Sequence, residues 1–273
     1  MIRRRDQILG YGLLVLLSVA ALGPLLGVVV LALGPAGNTS GTLSLSAATH
    51  LGNFAKAWDL ANFGPAMRTS AIITVSTVIV SVAFSVPAGY AFALMRFRGR
   101  SLLFYLMVFG LLIPLEAMLI PLYFDMRSLN LIDNYWSVAL PDIAFSVAFG
   151  AFWMRAFFLS SARSLVEAAR IDGANSLQVL WRVLLPLARP QVLTLAVLFF
   201  VWNWNDFLLP LVMLSGSSLQ TVPMSLVFFQ SQHLTNYTYL AAGALITIAP
   251  VLTVYLLLQR SFTRGILTGA VRD

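Results

Sequence analysis

The chain of 273 residues has no cysteine, a single lysine and few charged residues of any kind. Without cysteine there is no disulfide framework, no thiol nucleophile and no cysteine-ligated metal site. Charged residues make up only 10% of the chain, too few to cover the surface of a soluble protein of this size. The two histidines, His50 and His233, are far apart in polar stretches, so we expect solvated loop residues rather than a metal site.

The one lysine also excludes a common kind of ATPase. A P-loop needs a lysine directly after a glycine, because that side chain holds the β- and γ-phosphates. Lys56 follows Ala55, and the sequence contains neither HExxH nor GxSxG. We therefore expect this chain not to be an enzyme and to bind no cofactor of its own.

What the sequence does contain is long apolar runs. Hydrophobic residues make up 59% of the chain. Six runs reach the ~20 residues that a helix needs to cross the ~30 Å hydrocarbon core of a bilayer. They lie at 8–33, 69–94, 102–124, 135–155, 191–213 and 240–258. The sequence predicts an all-α membrane protein with one transmembrane domain of six helices.

The basic residues predict the orientation of these spans. With the N-terminus in the cytoplasm and six alternating spans, only Lys56, Arg68 and Arg127 of the 17 basic residues lie outside. Basic loops favour the cytoplasmic side, so both termini and the connection 156–190 are predicted to be inside. The net charge of +7 thus reflects membrane orientation, and we expect no nucleic-acid partner.

The connection 156–190 carries a patterned polar segment. Ser164 and Glu167 have the spacing of a capping box, which predicts a short helix that Gly173 then ends. A second helix is predicted to start with Asn175 or Ser176 as its cap and to be closed by prolines before the fifth span.

The apolar residues of that second helix fall at i, i+3, i+4 and i+7, which predicts one apolar face. They are Leu177, Leu180, Trp181 and Leu184. The residues alone fit two interpretations, an amphipathic hairpin on the inner membrane surface or a docking element for a partner protein.

The segment resembles the cytoplasmic signature loop of permeases from binding-protein-dependent ABC importers. The matching residues are Glu167-Ala168-Ala169, Gly173 and Val183-Leu184-Leu185-Pro186, with valine where isoleucine is more usual. Trp204 to Pro210 and the tail from Gln259 to Val271 are similar to the smaller permease subunits of sugar importers, such as those for maltose or glycerol-3-phosphate.

The resemblance implies one half of a translocation pathway in the inner membrane of a bacterium. Its coupling residues would enter a cleft of the nucleotide-binding subunit, with Glu167 against a basic residue and the alanines allowing close approach. These residues are Glu167, Ala168, Ala169, Asp172 and Gly173. Besides membrane lipid, the implied partners are a second homologous permease, two nucleotide-binding subunits that bind ATP and Mg, and an extracytoplasmic sugar-binding protein.

Three carboxylates, Glu116, Asp142 and Asp206, lie inside the apolar runs and are candidates for functional groups. At 1.5 Å per helical residue, all three fall in the outer half of the membrane. Asp206 is preceded by Asn203, Trp204 and Asn205. Their amides can form hydrogen bonds with the hydroxyl groups of a sugar, and the indole ring can pack against its C–H groups. The competing interpretation is that these groups have a structural role and form hydrogen bonds between helices near prolines.

An ion-coupled secondary carrier is the alternative function, with one of these carboxylates as the proton or cation site. Such carriers often contain inverted repeats, and the sequence shows none. The loop Ser215 to Tyr239 has no charged residue, so we expect it to pack against a partner or to re-enter the membrane. By resemblance, it is a candidate contact for the binding protein, and the tail from Arg260 reaches toward the nucleotide-binding subunits.

Overall fold

The computed structural model describes the backbone of residues 4–42, 49–161, 163–230 and 235–270. It also describes the side-chain surroundings within these ranges, except at 4–6, 8–9, 161, 163–164 and 260–270. The longer helices are α1 (Arg4–Leu33), α2 (Gly52–Leu60), α3 (Phe63–Leu94), α4 (Arg100–Gly110), α5 (Leu115–Ser128), α6 (Tyr135–Ser161), α7 (Arg163–Ile171), α9 (Leu185–Asn205) and α12 (Tyr237–Ala270). The shorter ones are α8 (Ser176–Gln178), α10 (Leu208–Met213) and α11 (Val222–Ser225).

The all-α class predicted from the sequence is confirmed for the described residues, which include no strand beyond an isolated bridge between Gln230 and Thr235. Five helical stretches are long and apolar enough to cross a bilayer. They are Gly10–Leu33, Phe63–Leu94, Tyr135–Ser160, Ser176–Asn205 and Tyr237–Gln259. A sixth span results if α4 and α5 are counted together.

The third predicted span differs most from the structure. Instead of one helix over 102–124, α4 ends at Gly110 and α5 begins at Leu115, with a bend of 100° between them. Pro114 lies at the break; its ring disfavours helical backbone at the residue before it, and it has no N–H to donate. Its own ψ of 134° is extended, so the chain changes direction there.

The fifth span starts earlier than predicted and also ends earlier. The helical stretch Ser176–Asn205 is continuous and includes a π-helical turn, Val179–Leu184. Pro186 closely follows that turn and therefore lies inside the continuous helical stretch, not at its start. The helix stops at Asp206, whose ψ of 130° is extended, and α10 follows as a separate element.

The π-helical turn divides the predicted apolar face of the second helix. Leu180 and Leu184 are buried in the core, whereas Leu177 is 68% exposed and Trp181 is 54% exposed. A π-turn adds one residue to the helical repeat, so positions that would share a face of an α-helix separate. The predicted apolar face is therefore shared between the core and the surface of the described chain.

The described residues of 65–224 and 251–270 form one compact unit. Its main core lies among α3, α6 and α9, where Met154, Phe158 and Phe199 are fully buried. Gly89 lies against the backbone of α6 at Met154 and Arg155, and Gly150 lies against Ser85. Small residues at such contacts allow helices in a membrane to approach closely.

The same unit holds a second core around α10, formed by Ile73, Val138, Leu209 and Met213 among others. The chain before α6 is tied to it at Asp133. The Asp133 N–H donates to Met213 O at 2.9 Å, and Asp133 Oδ1 accepts from the N–H of Gly216 at 2.9 Å. These bonds fix the chain that follows α10.

The described residues of 4–64 and 225–250 form the other unit. Asn53 on α2 donates to the carbonyl oxygens of Ala32 and Gly34, each at 2.9 Å, and so holds α2 against the end of α1. Thr238 on α12 donates to Pro35 O at 2.9 Å. The predicted connection 34–68 is thus not a loop throughout, because it contains α2.

Candidate functional site

The signature segment forms α7 and a tightly closed turn after it. The N–H of Gly173 donates to Arg170 O at 3.0 Å, and the N–H of Ala174 donates to Ala169 O at 2.9 Å. With a φ of +81° at Gly173, this is the Schellman arrangement that ends a helix with a left-handed residue. The prediction that Gly173 ends the first helix through a positive φ is confirmed.

The next helix is capped as its sequence predicts. The Gln178 N–H donates to Asn175 Oδ1 at 2.9 Å, and the Asn175 N–H donates to Gln178 Oε1 at 2.8 Å. Two orphan N–H groups at the helix start are thereby satisfied, which fixes where the chain leaves the turn. The side chain of Ser164, predicted to cap α7, lies outside the described residues.

One side of α7 is anchored and the other is free. Val166 is buried in the α3–α6–α9 core, and Ala169 and Ala174 pack against it. Glu167, Ala168, Asp172 and Gly173 are exposed on the opposite side. A Cβ at Gly173 would have no atom of the described residues within 4 Å, so the turn projects from their surface.

A large basic cleft adjoins this turn. It has a volume of about 1130 Å³ and is lined by Arg96, Arg100, Arg170, Glu167 and Ser176, among other residues. The segment between α3 and α4 thus lies beside α7, a neighbourhood that the sequence analysis missed. The arginines at 96, 98 and 100 could have indicated this neighbourhood. They lie on the predicted cytoplasmic side of the membrane, where 156–190 also lies.

The second group of candidates lies where α9 ends. A cavity of about 390 Å³ is lined by Asp142, Asn203 and Asp206, together with Phe149 and Trp202. A neighbouring cavity of about 260 Å³ is lined by Glu116, Asn205 and Asp206. Asp206 therefore lines both. The three carboxylates, which the sequence treats one by one, are brought together here.

The break in the chain positions Asp206. Its carboxylate interacts with the backbone N–H groups of Leu209, Phe207 and Leu208, at the start of α10. Its Oδ2 atom, like that of Asp142, is buried and has no hydrogen-bond partner among the described residues. The helix end thus directs a carboxylate into the cavities.

The other predicted residues of this region divide between lining and packing. Asn203 and Asn205 line the cavities while donating to their own helix, to Phe199 O at 2.7 Å and to Val201 O at 2.8 Å. Trp204 is buried and stacks on Phe200, with ring centroids 5.5 Å apart. Trp202 instead supplies an indole ring to the larger cavity.

The comparison with protein families is decisive. Residues 85–268 match the family described as "Binding-protein-dependent transport system inner membrane component". The chain belongs to this family. The sequence motif that begins at Glu167 is typical of this family.

Individual relatives agree with the family match. The chain is 33% identical over 229 residues to the probable ABC transporter permease protein YurM of Bacillus subtilis, covering 84% of this chain and 76% of that protein. It is 31% identical over 272 residues to the diacetylchitobiose uptake system permease protein NgcG of Streptomyces coelicolor, covering 98% and 90%.

A solved structure is similar over nearly the whole chain. It belongs to a bacterial ABC transporter involved in the import of the acidic polysaccharide alginate. The TM-score is 0.76 at 27% identity, covering 96% of this chain and 99% of that chain. This chain is therefore an ABC importer permease of the inner membrane and not a catalytic enzyme. The comparisons give no support to the ion-coupled carrier.

Proposed function

We propose that this permease forms half of the translocation pathway of an ATP-driven importer for a saccharide or saccharide derivative. Its partners are a second homologous permease, two nucleotide-binding subunits that carry ATP and Mg, and an extracytoplasmic binding protein. The diacetylchitobiose uptake system of the Streptomyces relative and the alginate import of the structural neighbour support a carbohydrate cargo. The observation that carries the proposal is the exposed, doubly capped turn with the family signature.

The turn couples the motion of a partner ATPase to the membrane helices. The sequence lacks a P-loop lysine, so another chain hydrolyses the ATP. Glu167, Ala168, Ala169, Asp172 and Gly173 form the contact with the nucleotide-binding subunit. Val166 anchors α7 in the core formed by α3, α6 and α9. A push on the turn therefore moves packed helices rather than a loose loop.

The cavities around Asp206 form part of the pathway for the cargo. A charged or polar side chain within a membrane helix is costly unless it faces water, a partner group or a ligand. The amides of Asn203 and Asn205 and the ring of Trp202 provide surfaces that match sugar hydroxyls and C–H groups. Glu116 lines the same region from the start of α5, whereas Trp204 supports it from the core.

The chain crosses the membrane six times, with both termini in the cytoplasm and α4 and α5 as one broken span. The absence of cysteine makes a labelling test clean. We expect single cysteines at Ser40 and Ser218 to react with an impermeant thiol reagent added to spheroplasts. Cysteines at Arg98 and Ser176 should react only after the membrane is opened. Labelling of Ser176→Cys in sealed spheroplasts would contradict both the topology and the coupling role.

ATP dependence tests the function itself. The purified chain alone should hydrolyse no ATP, because it has no site for the β- and γ-phosphates. Reconstituted with its partner subunits, it should support ATP hydrolysis that rises severalfold when the loaded binding protein is added. A transporter without this chain serves as the control. Uptake driven by a proton or sodium gradient, in ATP-free vesicles that hold this chain alone, would favour the ion-coupled carrier.

A further inference from the structure

The basic cleft beside α7 carries positive charge that the chain does not neutralise. Among the described residues that line it, Arg96, Arg100 and Arg170 are basic and Glu167 is the one carboxylate. The guanidinium of arginine stays charged in proteins. None of the three arginines forms an ion pair with another residue of the described chain. The cleft therefore has an excess of positive charge and suits an anionic group.

The turn between α3 and α4 holds part of this charge in place. Gly99, with a φ of +80°, lies directly before α4. Arg100 Nη1 donates to Met95 O at 3.0 Å, and this bond joins the two ends of the turn. A guanidinium has five N–H donors, so the bond leaves most of them for a ligand. The fork that these donors form matches the oxygen atoms of a phosphate group.

The cleft lies where membrane-crossing helices end. Its lining includes Leu94 at the end of α3, Ser101 in the first turn of α4 and Leu159 near the end of α6. Both α3 and α6 are long enough to cross a bilayer, and α4 is the first half of the broken span. The ends of such helices lie at the level of the lipid headgroups. In the proposed topology these ends are cytoplasmic, on the side where anionic lipids attract basic segments.

Exposed apolar side chains form another part of the wall. Met95, Phe97 and Leu102 line the cleft, and all three are exposed. From Leu102 an exposed apolar face continues along α4 at i+3, i+4 and i+7. Its further members, each more than half exposed, are Tyr105, Leu106 and Phe109. A free phosphate ion gains nothing from such a surface, whereas the acyl chains of a lipid pack against it.

We infer that the basic cleft binds the phosphate headgroup of an anionic phospholipid from the cytoplasmic leaflet. Arg96 and Arg100 bind the phosphate oxygens, and the acyl chains lie along the exposed face of α4. Basic pockets between membrane helices are a known way of binding anionic headgroups. The inference uses the topology given under the proposed function, and it goes beyond that function by assigning the permease a lipid ligand. Because Glu167 and Arg170 line the same cleft, a bound lipid braces α7 against the turn between α3 and α4.

Native mass spectrometry of the complete transporter tests this inference. The complex is purified in detergent, stripped of lipid and titrated with phosphatidylglycerol or with phosphatidylcholine of the same acyl chains. Bound molecules are counted from the mass of the complex. We expect tighter binding of phosphatidylglycerol, because only its headgroup carries a net negative charge. Inorganic phosphate should not displace it, because the acyl chains also contribute to binding.

Two arginines of the same turn provide a matched pair of variants. Arg96 and Arg98 are both exposed, but of these two only Arg96 lines the cleft. A basic residue near an anionic membrane surface contributes ~1 kcal/mol, which corresponds to about fivefold in affinity. Arg96→Gln should therefore weaken the tightest binding of phosphatidylglycerol about fivefold. Arg98→Gln removes the same charge and should leave that affinity close to the wild-type value.

Arg100→Gln is the second cleft variant, for use if Arg96→Gln does not assemble. Equal effects of a cleft variant and Arg98→Gln would overturn the inference, because only the general charge of the surface would then matter. Equal affinity for the two lipids, or displacement by inorganic phosphate, would also overturn it. Weaker retention of the nucleotide-binding subunit by Arg96→Gln, with unchanged lipid binding, would assign the cleft to that subunit instead.

The proposed function is measured on the same preparations, as ATP hydrolysis stimulated by the loaded binding protein. Normal stimulation of the wild-type complex with a failed lipid test would refute the lipid site alone. A wild-type complex that binds the lipid as expected but shows no stimulation would count against the proposed function and leave the lipid site standing.

Discussion

Replacement of Gly173 by aspartate is expected to abolish uptake while the protein still reaches the membrane. The structure makes this a clean test, because in the part of the chain that it describes no atom lies within 4 Å of a Cβ at this position. The φ of +81° costs a side chain about 1 kcal/mol, and aspartate tolerates this region better than most residues. The chain itself therefore loses little stability.

The loss arises at the contact with the partner. If the turn enters a cleft of the nucleotide-binding subunit, the new carboxylate is buried there without a partner. Disruption of a buried charged contact costs ~2–5 kcal/mol. At about 1.4 kcal/mol per decade, this corresponds to a roughly 30- to 4,000-fold weaker association. The nucleotide-binding subunit should come away from the membrane, or remain bound without coupling.

Matched variants separate charge from shape. Gly173→Asn has nearly the same size and the same tolerance of a positive φ but no charge, so it should retain more uptake than Gly173→Asp. Glu167→Lys should lose uptake by reversing the sign that faces a basic residue, and Glu167→Gln should lose less. An acidic substitution in the partner's cleft should partly rescue Glu167→Lys. Uptake, membrane level and co-purification of the partner are measured for each variant.

An amphipathic hairpin that only lies on the lipid predicts a different result. Its binding depends on apolar residues such as Leu177 and Trp181, and a charge at the exposed turn would matter little. Normal uptake by both Gly173→Asp and Glu167→Lys would mean that the turn is not the coupling surface.

Leucine at Gly89 is expected to prevent most of the chain from folding. A Cβ at this position would lie 2.5 Å from Met154 Cβ and 2.9 Å from the backbone nitrogen of Arg155. Neither atom belongs to the flexible end of a side chain, so α3 and α6 would have to separate. Overpacking of a tight core costs ~1–3 kcal/mol and at times more. A whole leucine at a backbone contact should cost at least about 3 kcal/mol.

The measurements are the amount of monodisperse protein in detergent and its thermal midpoint, and both should fall. Gly89→Ala should give a smaller loss. Gly27→Leu is the matched control, because a Cβ on that α1 glycine would have no atom within 4 Å. Equal yield and equal melting of Gly89→Leu and Gly27→Leu would show that α3 and α6 do not pack in this way.

Local sequence was sufficient for the turn that carries the main proposal. Glycine at 173 adopts a positive φ at little cost, and Asn175 with Gln178 closes a capping box within four residues. Such features depend on neighbouring residues in the sequence, so they can be predicted without knowledge of the tertiary structure. Composition likewise determined the membrane class, because apolar runs of this length have few alternatives.

Tertiary structure decided the features that depend on distant residues. Pro114 and Pro186 look alike in sequence, yet the chain bends by 100° at the first and continues as a helix through the second. A proline removes one hydrogen bond in either place, and the surrounding packing determines which outcome is stable. The π-helical turn before Pro186 belongs to that packing, with Leu180 and Leu184 buried in the core.

The grouping of the three intramembrane carboxyl groups likewise could not be predicted from the sequence. Glu116, Asp142 and Asp206 appeared as three separate intramembrane carboxylates, each with a structural explanation near a proline. The break after α9 and the bend before α5 place them around two neighbouring cavities, both of which Asp206 lines. The sequence by itself determined what kind of protein this is and where its coupling turn lies, because those properties are local. Only the tertiary structure determined which carboxyl groups lie near one another, because residues about 90 positions apart become neighbours through helix packing alone.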